Sequence, residues 1–108
     1  MSLGISIALR AEQDMTLQYR WYLEQANLDV AERYLLAVHE TIQTVAERPD
    51  LGIRRHFQSP ELAGIRSIQV MRPFDKHLLF YQTGDHLSIE RVMHGARDLP
   101  LRLLEEPE

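Results

Sequence analysis

Apolar residues recur along the chain with two different periods, and the change of period predicts the elements. Ile5, Ile7 and Leu9 alternate with Ser6 and Ala8, which predicts a short strand with one buried face. From residue 11 to about residue 26 the apolar positions lie three or four residues apart, as on one face of an amphipathic helix. This stripe consists of Ala11, Met15, Tyr19, Tyr22 and Ala26.

A second amphipathic helix is predicted almost immediately after the first. Asp29, with Glu32 three residues later, fits a capping box that would begin this helix. Pro49 disfavours the α conformation in the residue before it, so the helix should end at Arg48. Because the connection between the two helices is so short, we expect an antiparallel helical hairpin. The apolar seam of the second helix is Ala31, Leu35, Val38, Ile42 and Val45.

Three strand-like runs follow a loop rich in proline and glycine, at residues 65–71, 78–83 and 87–94. Their links, RPFDKH and a turn at Gly84-Asp85, are short enough for antiparallel hairpins. Leu87 and Ile89 share one parity and Val92 has the other, which predicts a bulge or sharp twist near Glu90-Arg91, unless both strand faces are covered. The order β-α-α-β-β-β predicts a two-layer α+β fold in which the helical hairpin packs on a twisted antiparallel sheet. We expect a single domain whose core extends over about residues 5–104.

The length and composition of the chain exclude several classes of protein and of functional site. The chain has 108 residues, which fits one domain, and no cysteine, which excludes disulfides, thiolate zinc sites and a cysteine nucleophile. No apolar run approaches the roughly 18 residues of a membrane span, and no export signal begins the chain, so we expect a cytoplasmic protein without membrane contact. His39-Glu40 lacks a second histidine at ligand spacing, and no phosphate-binding glycine loop is present, so neither a metal nor a cofactor is expected.

Charge is distributed unevenly along the chain. The net charge of -4 argues against a protein that coats nucleic acid with its whole surface. Residues 52–97, however, contain seven Arg or Lys against four Asp or Glu, whereas residues 1–51 contain four against eight. This pattern indicates either one electropositive face aimed at an acidic partner or a chance excess in a short window.

The end of the last predicted strand concentrates polar chemistry in the sequence VMHGARD. Gly95 should adopt a backbone angle that other residues resist, and Asp98 is suited to cap the turn that follows. The turn would then present His94 and Arg97. His94 could instead bond a neighbouring carbonyl, and Arg97 could form an ion pair with the helical hairpin.

Other candidates for partner contacts lie on the basic strands and loops. Arg66 should reach over the rim of the sheet, either to a salt bridge with the first helix or to a partner. Arg54 and Arg55 precede His56 and Phe57, a basic and aromatic cluster that fits nucleic acid or an acidic peptide, or else a solvated loop with Phe57 tucked beneath it.

The two later strands add four more candidates for partner binding. Arg72 and Lys76 bracket the link between two strands, and Arg91 belongs to the basic strand face. Tyr81 and Phe80 have opposite strand parity, so one of the two rings should point away from the helices. An exposed ring at Tyr81 would provide a docking site for a partner helix.

Several stretches resemble the RelE/ParE superfamily of bacterial toxins, on the ParE side. They are Ala11, Asp14 and Met15 at the start of the first helix, then RPDLG, GIRSIQV and LLFY, and above all VMHGARD. The resemblance extends from about residue 5 to residue 104. It implies the toxin of a type II toxin-antitoxin, or plasmid stabilisation, system. Such a toxin arrests growth and is neutralised by a cognate antitoxin, with which it would form a hetero-oligomer.

The superfamily contains two mechanisms, and the resemblance favours one of them. ParE-like members resemble inhibitors of DNA gyrase, whereas RelE-like members resemble ribosome-dependent mRNA endonucleases, which need a base, an acid and cations around the phosphate. Arg66, His94 and Arg97 are the catalytic candidates for a nuclease, but the segment LPLRLLEEPE contains no Tyr, and Leu78 falls near a position where nucleases tend to keep an Arg. We therefore expect a non-enzymatic gyrase inhibitor, with a nuclease or a non-toxic binding homologue as alternatives.

Overall fold

Two helices and five strands are built from residues 3–95, which are the residues that the computed structural model describes. The first strand runs directly into a helical hairpin, and the remaining strands follow a loop that includes a short 3-10 turn at Pro60–Leu62. Neither helix is both long and apolar enough to cross a membrane. In chain order the elements are β1 (Ile5–Ile7), α1 (Leu9–Gln25), α2 (Leu28–Glu47), β2 (Ile53–Arg54), β3 (Arg66–Gln69), β4 (His77–Thr83) and β5 (Leu87–His94).

The start of α2 differs from the expected capping box. The Oδ1 atom of Asn27 accepts a hydrogen bond from the amide of Val30 at 2.9 Å, which makes Asn27 the N-cap. Asp29 lies in the first turn instead, where it forms an exposed ion pair with Arg33 at 2.8 Å. The prediction was wrong because Asn27 is itself a good capping residue and lies two positions earlier. The end of α2 at Glu47, before Pro49, agrees with the prediction.

The sheet has the order β1-β5-β4-β3-β2. The strands β3, β4 and β5 form the predicted antiparallel meander, but β1 pairs with β5 in parallel, so the sheet is mixed. Residues 8–86 separate β1 from β5, and no tight turn forces opposite directions on the two strands. The edge strand β2 was not predicted and contributes only two residues.

A bulge interrupts the pairing of β4 with β5, as the sequence predicts. Phe80 pairs with Arg91 and Tyr81 with Ile89, which leaves Glu90 as the extra residue. The bulge reverses the alternation of side chains, so that Ile89 and Val92 both join the core beneath the helices. It also sets the position of Arg91.

Apolar side chains cover both faces of the central strands. On one face, residues of α1 and α2 pack against Leu79, Tyr81 and Ile89. On the other face, a second cluster contains Leu62, Ile65, Phe80 and Met93, with Phe57 packed against it. Both Phe80 and Tyr81 are fully buried. Phe80 points away from the helices, as the strand parity predicts, but the loop before β3 covers that face, so neither ring is exposed as a docking site.

Candidate functional site

A solvent-open groove lies along β2 and β3, and its lining includes Ser67, Ile68, Gln69 and Val70. Its volume is about 670 Å³. Strands β2 and β3 and the link from β3 to β4 form its walls. The apolar lining includes Leu51, Ile53, Met71 and Leu78, and the charged lining is Arg55, Arg72 and Asp75. An apolar surface with adjacent cations is suited to a segment that is both apolar and acidic.

The groove's lip, which is the segment 51–53, is held by a buried hydroxyl. The Tyr81 hydroxyl donates a hydrogen bond to the carbonyl of Pro49 at 2.8 Å and accepts one from the amide of Gly52 at 2.7 Å. Burial is the main reason why the pKa of Tyr81 is raised. A Cβ atom at Gly52 would overlap the Tyr81 ring and hydroxyl, so this position requires glycine. Tyr81 is therefore a structural residue here, rather than the exposed docking residue that the sequence predicts.

Arg66 also holds this lip. Its Nη1 atom donates hydrogen bonds to the carbonyls of Gly52 at 2.8 Å and Asp50 at 3.4 Å. The expected alternatives were a salt bridge to α1 or a partner contact, and the bonds lead instead to the loop after α2. The side chain remains half-buried, which leaves it part of the surface beside β2.

Arg54 and Arg55 separate onto different sides of the β2 edge. The Nε atom of Arg55 donates a hydrogen bond to Ser67 Oγ at 2.7 Å, which fixes the guanidinium in the groove. Arg54 is exposed and pairs with Arg66 across the strands. Phe57 is half-buried against the second cluster, which agrees with the alternative prediction of a solvated loop with Phe57 tucked beneath it.

Arg91, a predicted partner-binding residue, is instead part of a buried ion pair. Its Nε and Nη2 atoms donate to the two carboxylate oxygens of Asp14 at 2.7 and 2.9 Å. The amide of Val92 donates to the same carboxylate at 3.1 Å. The side chains of Arg91 and Asp14 are 5% and 10% exposed, so this arginine joins α1 to the bulge of β5. The sequence did indicate a bulge at Glu90-Arg91, and a bulge changes the face of the sheet to which the Arg91 side chain points.

The exposed ring of His94 packs edge-on against His77, a buried histidine that sequence reasoning missed. The ring centroids are 4.9 Å apart, and the two residues pair across β4 and β5. The hydroxyl of Tyr22 and Nε2 of His77 share a hydrogen bond of 2.9 Å. Burial, followed by the nearby charge of His94, lowers the pKa of His77 to about 4. His77 is therefore neutral at neutral pH, and its contribution is to packing.

Gly95 adopts a φ of 80°, as the sequence predicts for the turn after β5. Its amide donates to the carbonyl of Lys76 at 3.1 Å, which brings the end of β5 beside the link from β3 to β4. Arg72 and Lys76 are exposed there. Arg97 and Asp98 lie outside the described residues.

The two nuclease candidates within residues 3–95 do not converge. Arg66 aligns with Tyr81 on β4, whereas His94 aligns with His77. Four residues along β4 and two strand spacings across the sheet separate these positions by roughly 16 Å. The Arg66 guanidinium is moreover turned towards the carbonyls of Asp50 and Gly52, so in this structure the two side chains do not converge on one site.

A family model described as the ParE toxin of the type II toxin-antitoxin system parDE matches residues 5–99. The chain belongs to the ParE toxin family. Its fold is similar to the structure entitled "Chromosomal ParDE TA system from P. aeruginosa", with a TM-score of 0.70 and 16% identity over 88% of this chain and 98% of that chain.

A second solved structure has the same fold with a larger deviation. It is entitled "The structure of YoeB dimer from Staphylococcus aureus" and gives a TM-score of 0.55 and 17% identity over 89% of this chain and 100% of that one. No curated protein matches the chain. ParE family membership thus rests on the family model, and the solved structures support the architecture.

Proposed function

We propose that this ParE-family toxin inhibits DNA gyrase in the cytoplasm and that a cognate antitoxin holds it inactive. The observation that carries the proposal is the match of residues 5–99 to the ParE toxin model. The electropositive contact surface would comprise the exposed Arg72 and Lys76 beside the end of β5, together with Arg97.

The positions of the described cations support binding rather than phosphate cleavage. Cutting RNA requires a base, an acid and cations around a single phosphate. Arg66 bonds two backbone carbonyls, and its position in the sheet is roughly 16 Å from that of His94. Arg91 is buried against Asp14. A nuclease centre on this sheet would therefore need groups other than Arg66 with His94.

The groove supports a contact with the antitoxin, and it shares Arg72 with the proposed target surface. Leu51, Ile53 and Met71 offer an apolar surface, and Arg72 lies at its margin. Peptide partners of this kind bind through apolar anchors, and opposite charge fixes their register. An acidic and apolar antitoxin segment in the groove would produce a toxin-antitoxin hetero-oligomer.

The decisive experiment is a gyrase supercoiling and DNA-cleavage assay with purified protein, run beside mRNA cleavage on programmed ribosomes. Arg97→Ala tests the expected target contact, and Arg20→Ala removes the same charge from an exposed position on α1. We expect trapped, linearised DNA with the parent protein and with Arg20→Ala, and a loss of at least about tenfold with Arg97→Ala, as for a central contact.

Each other result would overturn part of the proposal. Cut mRNA with unaffected gyrase would assign the protein to the nuclease branch. Inactivity in both assays, with growth unaffected on expression, would indicate a homologue that only binds its partner. Equal loss in both arginine variants would show that total charge, rather than a specific contact, drives inhibition.

A further inference from the structure

The outer face of α2 is both acidic and apolar. Leu36 is 57% exposed, and Glu32 and Glu40, four residues before and after it, are exposed on the same face of the helix. From residue 28 to residue 47 four acidic residues occur against one basic residue, Arg33, and that arginine is paired with Asp29. The exposed leucine and the two carboxylates beside it form a surface that we call the acidic face.

The groove along β2 and β3 has the complementary chemistry. Its exposed apolar lining consists of Leu51, Ile53 and Met71. Arg55 and Arg72 add two positive charges to the lining, against the single negative charge of Asp75. Contiguous exposed apolar surface with flanking charge is typical of an interaction site, and the excess of positive charge favours an acidic occupant. The acidic face of α2 has both properties that the groove requires of its occupant.

The charges on the two surfaces are separated by similar distances. Eight residues of helix place Glu32 and Glu40 about 12 Å apart along α2. The Arg55 guanidinium is fixed at Ser67, and the five residues from Ser67 to Arg72 span at most about 17 Å. Because the exposed Arg72 side chain is long and flexible, its guanidinium can adapt to the shorter spacing. Two ion pairs can therefore form at once, with the leucine of the acidic face between them on the apolar lining.

Within one molecule the two surfaces point away from each other. The buried face of α2, which includes Val38, packs in the core on the sheet, whereas Leu36 is on the outer side of the helix. Ile68 packs against the same core, so its neighbour Ser67 points away from the helices. Ile53 pairs with Ser67 across the strands and points the same way. Only a second copy of the chain can therefore bring this face of α2 to the groove.

We propose that the free protein associates head to tail, with the acidic face of one copy bound in the groove of another. Leu36 covers Ile53 and its apolar neighbours, and the two glutamates pair with the two arginines of the groove. Because the contact joins two different surfaces, each bound pair still has a free groove and a free acidic face, so further copies can add. An antitoxin segment in the groove would block this association. That competition rests on the proposed antitoxin contact, whereas self-association does not.

Sedimentation equilibrium of the purified full chain, from low to high micromolar concentration, tests the proposal with reversed charges. The helix variant is Glu32→Arg with Glu40→Arg, and the groove variant is Arg55→Glu with Arg72→Glu. A control variant, Glu12→Arg with Glu24→Arg, makes the same change of charge as the helix variant at exposed positions of α1.

We expect the weight-average mass of the parent protein and of the control variant to rise with concentration. Each of the other two variants alone should associate at least about tenfold more weakly, because its acidic face and its groove then carry the same sign of charge. An equimolar mixture of the helix and groove variants should regain association, since opposite charges meet again at both contacts. Salt at about 1 M should weaken the association of the parent protein.

Urea unfolding shows whether each variant is folded, because Arg55→Glu removes the hydrogen bond to Ser67. If the groove variant does not fold, Arg72→Glu alone takes its place. A parent protein that stays monomeric over the whole concentration range would overturn the proposal. Equal loss in the control variant, or a mixture of folded variants that stays monomeric, would also overturn it. None of these results depends on gyrase or on the antitoxin.

Discussion

The buried ion pair of Arg91 with Asp14 allows the sharpest test of how this fold is held together. Removing the carboxylate in Asp14→Ala leaves a guanidinium that is 5% exposed without its bidentate partner and removes the acceptor of the Val92 amide. Breaking a buried pair from one side typically costs about 3–5 kcal/mol. Domains of this size are usually stable by only about 5–15 kcal/mol, so a large share of the folding free energy should be lost.

The exposed ion pair of Asp29 with Arg33 provides an internal control. It has a similar N–O distance, 2.8 Å, but the side chains are 72% and 62% exposed. Solvent screening reduces such pairs to about 0.3–0.5 kcal/mol, so Asp29→Ala should unfold close to the parent protein. Urea unfolding followed by circular dichroism measures both variants, and the free energy at zero denaturant gives the comparison.

A double-mutant cycle decides whether the pair, rather than either side chain alone, is responsible. In Asp14→Leu with Arg91→Met, an apolar pair of similar volume replaces the charges, and much of the stability should return. A coupling free energy below about 1 kcal/mol in the cycle would refute the reasoning. A cost in Asp29→Ala equal to that in Asp14→Ala would refute it as well.

The same cycle separates structure from target binding. If Arg91 acts only within the fold, toxicity lost in Arg91→Met should return in the double variant with the stability. If Arg91 contacts a target, as the sequence predicts, the double variant should stay inactive although it is folded. Growth after induced expression, with the amount of folded protein measured, distinguishes the two results.

Two further predictions concern buried polar groups. Tyr81→Phe should destabilise the protein by about 1–3 kcal/mol in urea unfolding, because the buried amide of Gly52 and carbonyl of Pro49 lose their partner; an unchanged midpoint would show that the lip does not depend on this hydroxyl. His77 has a pKa lowered from 6.5 to about 4 in the folded protein. Between these pH values the unfolded chain binds a proton at His77 and the folded protein does not, so the free energy of unfolding should fall as the pH is lowered from about 6.5 towards 4. His77→Gln should flatten that part of the stability profile, and an identical slope in both proteins would contradict the assignment.

Structural features that depend on residues close together in the chain could be predicted from the sequence. The spacing of Ala11, Met15 and Tyr22 reports a helix face directly, and the parity change between Ile89 and Val92 reports the bulge. The N-cap was missed because Asn27 and Asp29 are both good capping residues, and only the backbone geometry chooses between them.

Features set by distant contacts could not be predicted in the same way. The parallel pairing of β1 depends on residues 5–7 meeting residues 87–89, which no local pattern encodes. The burial of Phe80 depends on the loop that carries Leu62 and Ile65. The role of Arg91 depends on Asp14, which is 77 residues away in the chain.

Three exposed basic residues, Arg72, Lys76 and His94, lie where the family resemblance is most specific. Arg66 and Arg91 are bound into the fold, and their loss would disturb structure and function together. Arg72 and Lys76 are exposed, and charges at such positions contribute little to stability, so the fold does not account for them, whereas the exposed His94 packs its ring on His77. They lie around the link from β3 to β4 and the end of β5, which the bond from Gly95 to Lys76 brings together. If the proposed target surface is correct, Arg72→Ala and Lys76→Ala should weaken gyrase inhibition while the urea unfolding midpoint stays close to that of the parent protein.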